Sequence, residues 1–267
     1  MEKSSKVGWP LRIISAITAL WLVAPTLVVI PLSLTNKQSF RFPPDGWSFK
    51  FYETLFTETE WRTALLNSVQ LAVVVAVVAT IIGTLAALAL TRGKIPGKNL
   101  LNALVVSPMI VPGIIFAVAA FNVFLAWHLV GTFSGFLLAH TVLAIPFPII
   151  TVTARLRTFN RDVERAAAVL GANPLVTFFR VTLPLLLPSV LAGAAFAFIT
   201  SFDEVVVSLF IQSPKFRTLP VKMFTSVTVE TDPTIAAAAS VVIVLSTSLI
   251  LVSQFRPKRK SRAQVEP

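Results

Sequence analysis

Two adjacent acids, Asp203 and Glu204, are the residues whose chemical type and position are most informative in this sequence. They follow the charge-free apolar run Val181 to Phe202, and apolar sequence resumes at once with Val205. A carboxylate inside a membrane costs up to about 2.5 to 3.5 kcal/mol and usually faces a cavity or pairs with a cation. Because helical neighbours point about 100° apart, the two acids cannot both face such a cavity equally. We expect Asp203 to meet a cation there and Glu204 to position a neighbouring helix or line a gate. The alternative is a hydrated helix end carrying two acids.

A second informative group lies between Asn160 and Pro174. Asn160 is a typical N-cap residue, and Gly171 followed by Pro174 is typical of a helix end in which the glycine is left-handed. One face of the predicted helix is apolar and mostly small, with residues at i, i+3, i+4 and i+7: Val163, Ala166, Ala167 and Leu170. Such a face permits close approach by another protein, but an amphipathic basic helix also lies well on lipid headgroups. The pattern leaves both interpretations open.

The sequence lacks the residue sets that catalysis or metal binding would need. It has no cysteine, and His128 and His140 lie in or beside apolar runs without spaced carboxylate partners. The segment Gly93 to Asn99 is not a phosphate-binding loop, because three residues separate its glycines in place of four and Asn replaces the Mg²⁺-binding Ser or Thr. We therefore expect no catalysis, no metal and no cofactor on this chain.

Composition indicates a membrane protein. Hydrophobic residues make up 55% of the chain and charged residues only 13%, against about 25% charged in ordinary soluble domains. Between Lys98 and Arg155 there is no charged residue at all, which is long enough for two crossings. The net charge of +11 comes from short clusters between apolar runs and not from one face, so nucleic-acid binding is not expected.

Charge-free apolar stretches predict an all-α membrane protein with about six transmembrane helices. The predicted crossings are Ile13 to Leu34, Val69 to Leu90, Leu100 to Trp127, Thr132 to Ala154, Val181 to Phe202 and Pro233 to Phe255. Prolines and glycines at the start of the third crossing and within the fourth predict broken main-chain hydrogen bonding. In lipid such a break survives only where protein or a wet cavity satisfies the freed N–H and C=O groups. These residues are Pro108, Pro112, Gly113, Pro146 and Pro148.

Lysine and arginine counts predict the orientation. Residues 1–12 carry three, 91–99 three, 155–182 five and the tail from Arg256 five, whereas the alternate segments 35–63 and 203–232 carry four and three. Since cytoplasmic loops are enriched in Lys and Arg, both termini are expected in the cytoplasm, with residues 256–267 as a basic cytoplasmic tail. The aromatic-rich segment 36–63, which includes Trp61, is then expected at the outer interface.

The cytoplasmic segment resembles the EAA motif of bacterial ABC-importer permeases, whose pattern is Glu-Ala-Ala, three residues, Gly, nine residues, Ile, one residue, Leu-Pro. The matching residues are Arg165, Ala166, Ala167, Gly171, Val181, Leu183 and Pro184. Arg165 stands where the family has Glu, with Glu164 immediately before it, so an ion pair made by the usual Glu is in doubt. The resemblance implies a type I ABC-importer permease fold over residues 1–267 as a single transmembrane domain. It also implies that residues 160–174 form a coupling helix docking on an ATPase subunit.

Further segments resemble the polyamine branch of these permeases, namely the second permease of spermidine/putrescine importers. They are Thr200 to Phe210, Thr218 to Val221 and Asp232 to Ala236. The resemblance implies a bacterial inner-membrane subunit that works with a homologous second permease, two ATPase subunits that bind ATP and Mg²⁺, and an extracytoplasmic solute-binding protein. The solute expected is a small cation such as putrescine or spermidine, with another small organic solute as the alternative.

Two other classes of function fit less well. An ion-coupled secondary transporter would favour inverted repeats, and the two halves of this sequence show no convincing repeat. A purely structural membrane scaffold predicts no intramembrane carboxylates, whereas Asp203 and Glu204 are present.

Overall fold

The computed structural model describes residues 8–230 and 232–254. The described residues form thirteen α-helices: α1 (Trp9–Ser33), α2 (Lys50–Thr57), α3 (Thr59–Arg92), α4 (Lys98–Val106), α5 (Gly113–Ala126), α6 (Phe133–Ala144), α7 (Pro146–Arg157), α8 (Asp162–Val169), α9 (Pro174–Thr177), α10 (Leu183–Phe202), α11 (Val206–Ile211), α12 (Leu219–Thr225) and α13 (Thr234–Gln254). Two π-helical turns, Phe178–Thr182 and Ser226–Glu230, precede α10 and follow α12. The predicted basic tail, residues 256–267, lies outside the described residues.

Among the described residues, five helical stretches are long and apolar enough to cross a membrane, and a bent pair brings the total to six if it is one span. The straight stretches are Trp9–Ser33, Thr59–Arg92, Phe133–Arg157, Pro174–Phe202 and Thr234–Leu251. The prediction of an all-α protein with about six membrane helices is therefore confirmed. Pro146 and Pro148 lie where the fourth span divides at Ile145 into α6 and α7, as the prediction of broken main-chain hydrogen bonding requires. Both prolines are in the first turn of α7, where a missing N–H costs little.

The predicted third crossing, Leu100 to Trp127, is not one straight helix. It consists of Lys98–Met109 and Gly113–Ala126, which are bent by 98° relative to each other. Pro108 and Pro112 supply the physical reason, because neither has an N–H to continue a helical ladder. The second span also differs from its prediction, since α3 begins at Thr59, ten residues before Val69, and includes a polar first turn with Glu60.

Contacts divide the chain into two compact units, and the first comprises the described parts of Met1–Arg62 and Lys222–Leu245. In α1 only Ser33 is buried, and its hydroxyl lies 2.7 Å from the Tyr52 hydroxyl. Trp61 is fully buried, and its indole N–H donates to Asp232 at 3.1 Å. The buried Lys222 donates to Glu60 at 2.6 Å. Trp61 therefore faces the protein interior, and the position of segment 36–63 at the outer interface stays a prediction.

The second unit comprises the described parts of Thr63–Val221 and Ser246–Pro267. Within it α10 packs against α7 and α6, and α11 packs against α5 and α6. Close approach of the helices depends on glycine: a Cβ on Gly193 would lie 2.7 Å from the Pro148 Cα, and one on Gly83 would lie 2.7 Å from the Pro148 Cβ. Because any side chain would separate these backbones, the two glycines allow α3, α7 and α10 to meet around Pro148.

Candidate functional site

The two acids predicted to contact substrate lie in a break between helices. α10 ends at Phe202 and α11 begins at Val206, so Asp203 and Glu204 occupy the short connection. Glu204 turns back onto the chain, and its Oε1 accepts the backbone N–H of Val207 at 2.6 Å. This carboxylate therefore caps the start of α11, where N–H groups would otherwise lack partners. The Asp203 side chain is exposed and accepts no hydrogen bond from the described residues.

A buried histidine bridges this break. His140, in α6, has no exposed surface. Its Nδ1 lies 3.2 Å from the carbonyl oxygen of Ser201 and 3.0 Å from the Ser201 hydroxyl, and its Nε2 lies 3.0 Å from the Ser208 hydroxyl. A neutral ring whose Nδ1–H is shared between the carbonyl and hydroxyl oxygens of Ser201, and whose Nε2 accepts from the Ser208 hydroxyl, satisfies all three contacts. The imidazole thus joins the last turn of α10 to α11 across Asp203 and Glu204.

The segment 160–174, predicted to form a coupling helix, contains a helix that is shorter than the segment. α8 covers Asp162–Val169, and the Asn160 side chain accepts the N–H of Asp162 at 2.9 Å, so Asn160 makes a turn before the helix. Gly171 follows the helix with φ of +86°, which confirms the predicted left-handed end. Asn173 then caps α9 by accepting the N–H of Val176 at 2.8 Å.

Glu164, in the first turn of α8, faces other helices of its own unit. Arg92, at the end of α3, donates from Nη2 to Glu164 Oε1 at 2.9 Å. The Thr182 hydroxyl donates to the same oxygen. The Arg92 guanidinium also lies 5.5 Å from the centre of the Phe159 ring, a favourable cation–π distance. We call these four residues the Glu164 cluster.

Arg165, which occupies the motif's glutamate position, points away from the Glu164 cluster. Its guanidinium pairs with Asp162 one turn earlier at 2.9 Å, and 77% of its side chain is exposed. Ala166 is exposed and Ala167 half-buried. Four large apolar residues between the end of α8 and the start of α10 are more than half exposed. Their exposed fractions are 87% for Val169, 88% for Leu170, 71% for Leu175 and 61% for Phe179.

Leu183 and Pro184 form the first turn of α10, directly after the π-helical turn Phe178–Thr182. Proline is favourable there because first-turn N–H groups have no intrahelical partner. α10 has 20 residues, so at 1.5 Å per residue about 30 Å separates this turn from Asp203. The two sets of predicted site residues therefore lie at opposite ends of one helix.

Sequence reasoning missed the residues that support these two sites. Arg92 and Thr182 bond to Glu164 from two other segments, Phe159 lies against Arg92, and no motif spacing relates these residues. From the sequence, His140 is considered only as a metal ligand and no partners are found for it, although a histidine within an apolar run is itself a signal of a buried polar contact. Within residues 8–230 and 232–254, no group of three or more His, Asp or Glu residues is arranged to hold a metal ion.

Comparison with known proteins identifies relatives that match most of the chain. The family described as binding-protein-dependent transport system inner membrane component matches residues 79–261. The spermidine/putrescine transport system permease protein PotC of Haemophilus influenzae is 32% identical over 241 residues, covering 90% of this chain and 93% of that protein. The putrescine transport system permease protein PotI of Escherichia coli is 32% identical over 230 residues, covering 84% of this chain and 82% of that protein.

Solved structures show the same fold. A chain of a bacterial ABC transporter involved in the import of the acidic polysaccharide alginate superposes with a TM-score of 0.69 at 16% identity, covering 92% of this chain and 93% of that chain. A chain of a bacterial alginate ABC transporter in complex with an alginate pentasaccharide-bound periplasmic protein superposes with a TM-score of 0.69 at 18% identity, covering 92% of both chains.

Proposed function

The chain belongs to the binding-protein-dependent transport system inner membrane component family, and we propose that it forms half of the translocation pathway of an importer for a small cationic solute such as putrescine or spermidine. It is a multi-pass inner-membrane permease subunit of the ABC importer class and does not itself catalyse a reaction. The observation that carries the cationic substrate is Asp203, an exposed carboxylate in the break after α10. The named substrates of PotC and PotI, both polyamines, support the same class.

Asp203 and Glu204 have different roles in this proposal. Glu204 is held by the α11 backbone at 2.6 Å, so it shapes the break. Asp203 is the group that contacts the ammonium ions of the passing solute. Such a contact is weak enough for release, because a site on a transport pathway must let its ligand leave as well as enter. His140 keeps both ends of the break in place and, as a neutral ring, adds no positive charge that would repel the cation.

The proposed partners are a homologous second permease, two ATPase subunits and an extracytoplasmic solute-binding protein. ATP and Mg²⁺ bind to the ATPase subunits, and α8 is the coupling helix that contacts one of them. Val169 and Leu170 are exposed apolar residues at the end of a water-facing loop, and they support this role. Exposed apolar groups that lie together mark a surface that another protein covers. A periplasmic protein on the related alginate transporter supports the solute-binding partner. Both termini and α8 lie in the cytoplasm in this arrangement.

The function is tested by uptake into liposomes that contain the complete complex, ATP inside the lumen and the binding protein outside. Asp203→Asn keeps the shape of the side chain and removes its charge, and we expect uptake of radiolabelled putrescine or spermidine to fall about tenfold, the factor that 1.4 kcal/mol of lost interaction gives. Glu204→Gln is the matched control, because the amide oxygen still accepts the Val207 N–H, and its uptake should fall less.

Assembly of the complex and basal ATP hydrolysis should survive the Asp203→Asn change. Uptake equal to that of the unmodified complex would remove the role of Asp203 in the pathway. Transport of an anionic solute in place of a polyamine would overturn the proposed substrate class.

A further inference from the structure

The Glu164 cluster connects side chains from four segments of the chain, of which the end of α3 is distant in sequence from the other three. One carboxylate oxygen of Glu164, in α8, accepts from Arg92 at the end of α3 and from Thr182 in the turn that leads into α10. Arg92 in turn lies over the ring of Phe159, which belongs to the link between α7 and α8. The coupling helix is therefore bonded to the ends of two long helices through a single side chain.

Burial separates this cluster from the other ion pair of α8. The side chains of Arg92 and Glu164 are 28% and 18% exposed, whereas those of Arg165 and Asp162 are 77% and 71% exposed. Thr182 is almost completely buried. An exposed pair contributes little to stability because water solvates both charges. Removing one partner of a shielded pair leaves the other charge poorly solvated, so the Glu164 cluster resists separation far more strongly.

Because of the position of Thr182, the cluster can transmit a displacement from α8 to α10. Thr182 ends the π-helical turn Phe178–Thr182, and α10 begins at the next residue. π-helical turns are local irregularities that often occur at functional sites, and a bond from Thr182 to Glu164 bypasses this irregularity. A displacement of α8 thus reaches α10 directly, without being absorbed in the turn. At the far end of α10 lies Asp203.

We infer that Glu164 is a positioning residue that fixes the coupling helix to the ends of α3 and α10, so that α8, α10 and the Asp203 break move as one body. This inference rests on the proposed function, because it assigns the moving part through which a partner ATPase would act on the pathway. The arginine at the motif's glutamate position, Arg165, takes no part in the Glu164 cluster, and its exposed side chain is available to the ATPase surface.

The first test measures the amount of solute imported per ATP hydrolysed by the complete complex in liposomes. Glu164→Gln and Thr182→Val each weaken the cluster with little change in side-chain size. We expect both to retain ATP hydrolysis and to lower the import ratio, by about tenfold for Glu164→Gln, the factor equivalent to losing one charge-assisted hydrogen bond. The charge exchange Arg92→Glu with Glu164→Arg should recover part of the ratio lost in Arg92→Glu alone. Equal ratios in all variants would overturn the inference.

A second test uses the absence of cysteine from the natural chain. In the double variant Glu164→Cys with Thr182→Cys, the native bond is lost, and a short bifunctional thiol reagent can replace it with a covalent one. If α8 and α10 move as one body, cross-linking restores import that the untreated double variant has lost. If they must move relative to each other, cross-linking abolishes import. The two single-cysteine variants control for reaction with thiols of the partner subunits.

Failure of this inference is distinguishable from failure of the proposed function. The import ratio is measured with whichever solute the unmodified complex transports, so a solute other than a polyamine changes the proposed substrate and leaves the test intact. Absence of any ATP-dependent import by the unmodified complex overturns the proposed function and the inference together. Import that persists equally with and without the bond between positions 164 and 182 overturns the inference alone.

Discussion

His140 shows how one buried side chain determines the geometry of a functional break. Its two ring nitrogens contact Ser201 and Ser208, on either side of Asp203 and Glu204, at 3.0 to 3.2 Å. Neither hydroxyl has water as an alternative partner, because both serines are buried. The bridge therefore stabilises the fold and the position of the acids at the same time.

We predict that His140→Leu, which keeps a similar volume and removes both contacts, lowers the stability of the purified chain by about 1 to 3 kcal/mol, the cost of leaving buried polar groups unsatisfied. Thermal unfolding in detergent measures this effect. His140→Asn and His140→Gln are matched controls, since each carries one amide that can replace one ring nitrogen, and they should be intermediate. A melting temperature of His140→Leu equal to that of the unmodified chain would show that the bridge contributes nothing.

The reach of individual side chains also explains why the residues proposed to couple the permease to its ATPase could be only partly predicted from the sequence. The motif directs attention to Arg165, yet Glu164, one residue earlier and about 100° around the helix, makes the contacts to Arg92 and Thr182. A sequence motif gives the register of a helix along the chain. It does not reveal which long side chain reaches a partner that lies 72 residues away, as Arg92 does from Glu164.

At the scale of elements, the end of α8 depends on one backbone conformation. Gly171 has φ of +86°, and a Cβ added there would meet no atom within 4 Å. Any penalty for a larger residue therefore comes from the dihedral angle and not from crowding. A β-branched side chain is strained in this region, whereas asparagine adopts it readily.

We predict that Gly171→Val reduces ATP-dependent uptake strongly while the chain still inserts into the membrane, because the strain redirects the chain between α8 and α9. Gly171→Asn is the control and should retain most of the uptake. Uptake assays together with quantitation of the subunit in washed membranes distinguish loss of coupling from loss of protein. Normal uptake by Gly171→Val would remove the assignment of α8 as the coupling helix.

The spans themselves were predictable because a crossing requires a long apolar run, and such runs are visible in composition. The boundaries of the spans were less predictable. α3 begins with a polar turn, and a search for charge-free runs does not include that turn in the span. Pro108 and Pro112 indicate a break in the helix where the 98° bend after Met109 occurs. Its angle depends on the contacts of α5 with α11 and could not be derived from the prolines.

At the scale of the whole molecule, the charge distribution predicts which ends of the helices face the cytoplasm. Because the chain has no cysteine, a single introduced cysteine reports on its own location. We predict that Lys37→Cys reacts with a membrane-impermeant maleimide in intact spheroplasts, and that Lys94→Cys reacts only after the membrane is opened. Both positions are exposed, so accessibility on the protein does not differ between them. The reverse labelling pattern would invert the proposed topology.

Ser33 is the one buried residue of α1, a helix of 25 residues. The remaining surface of α1 is left to lipid or to another subunit, so the chain on its own gains little cohesion from this helix. In the proposed complex a partner subunit would cover α1, so a copy made in excess of its partners would leave this helix exposed to lipid. Because α1 buries so little of its own surface, we expect this chain to accumulate best when the proposed subunits are made in matching amounts.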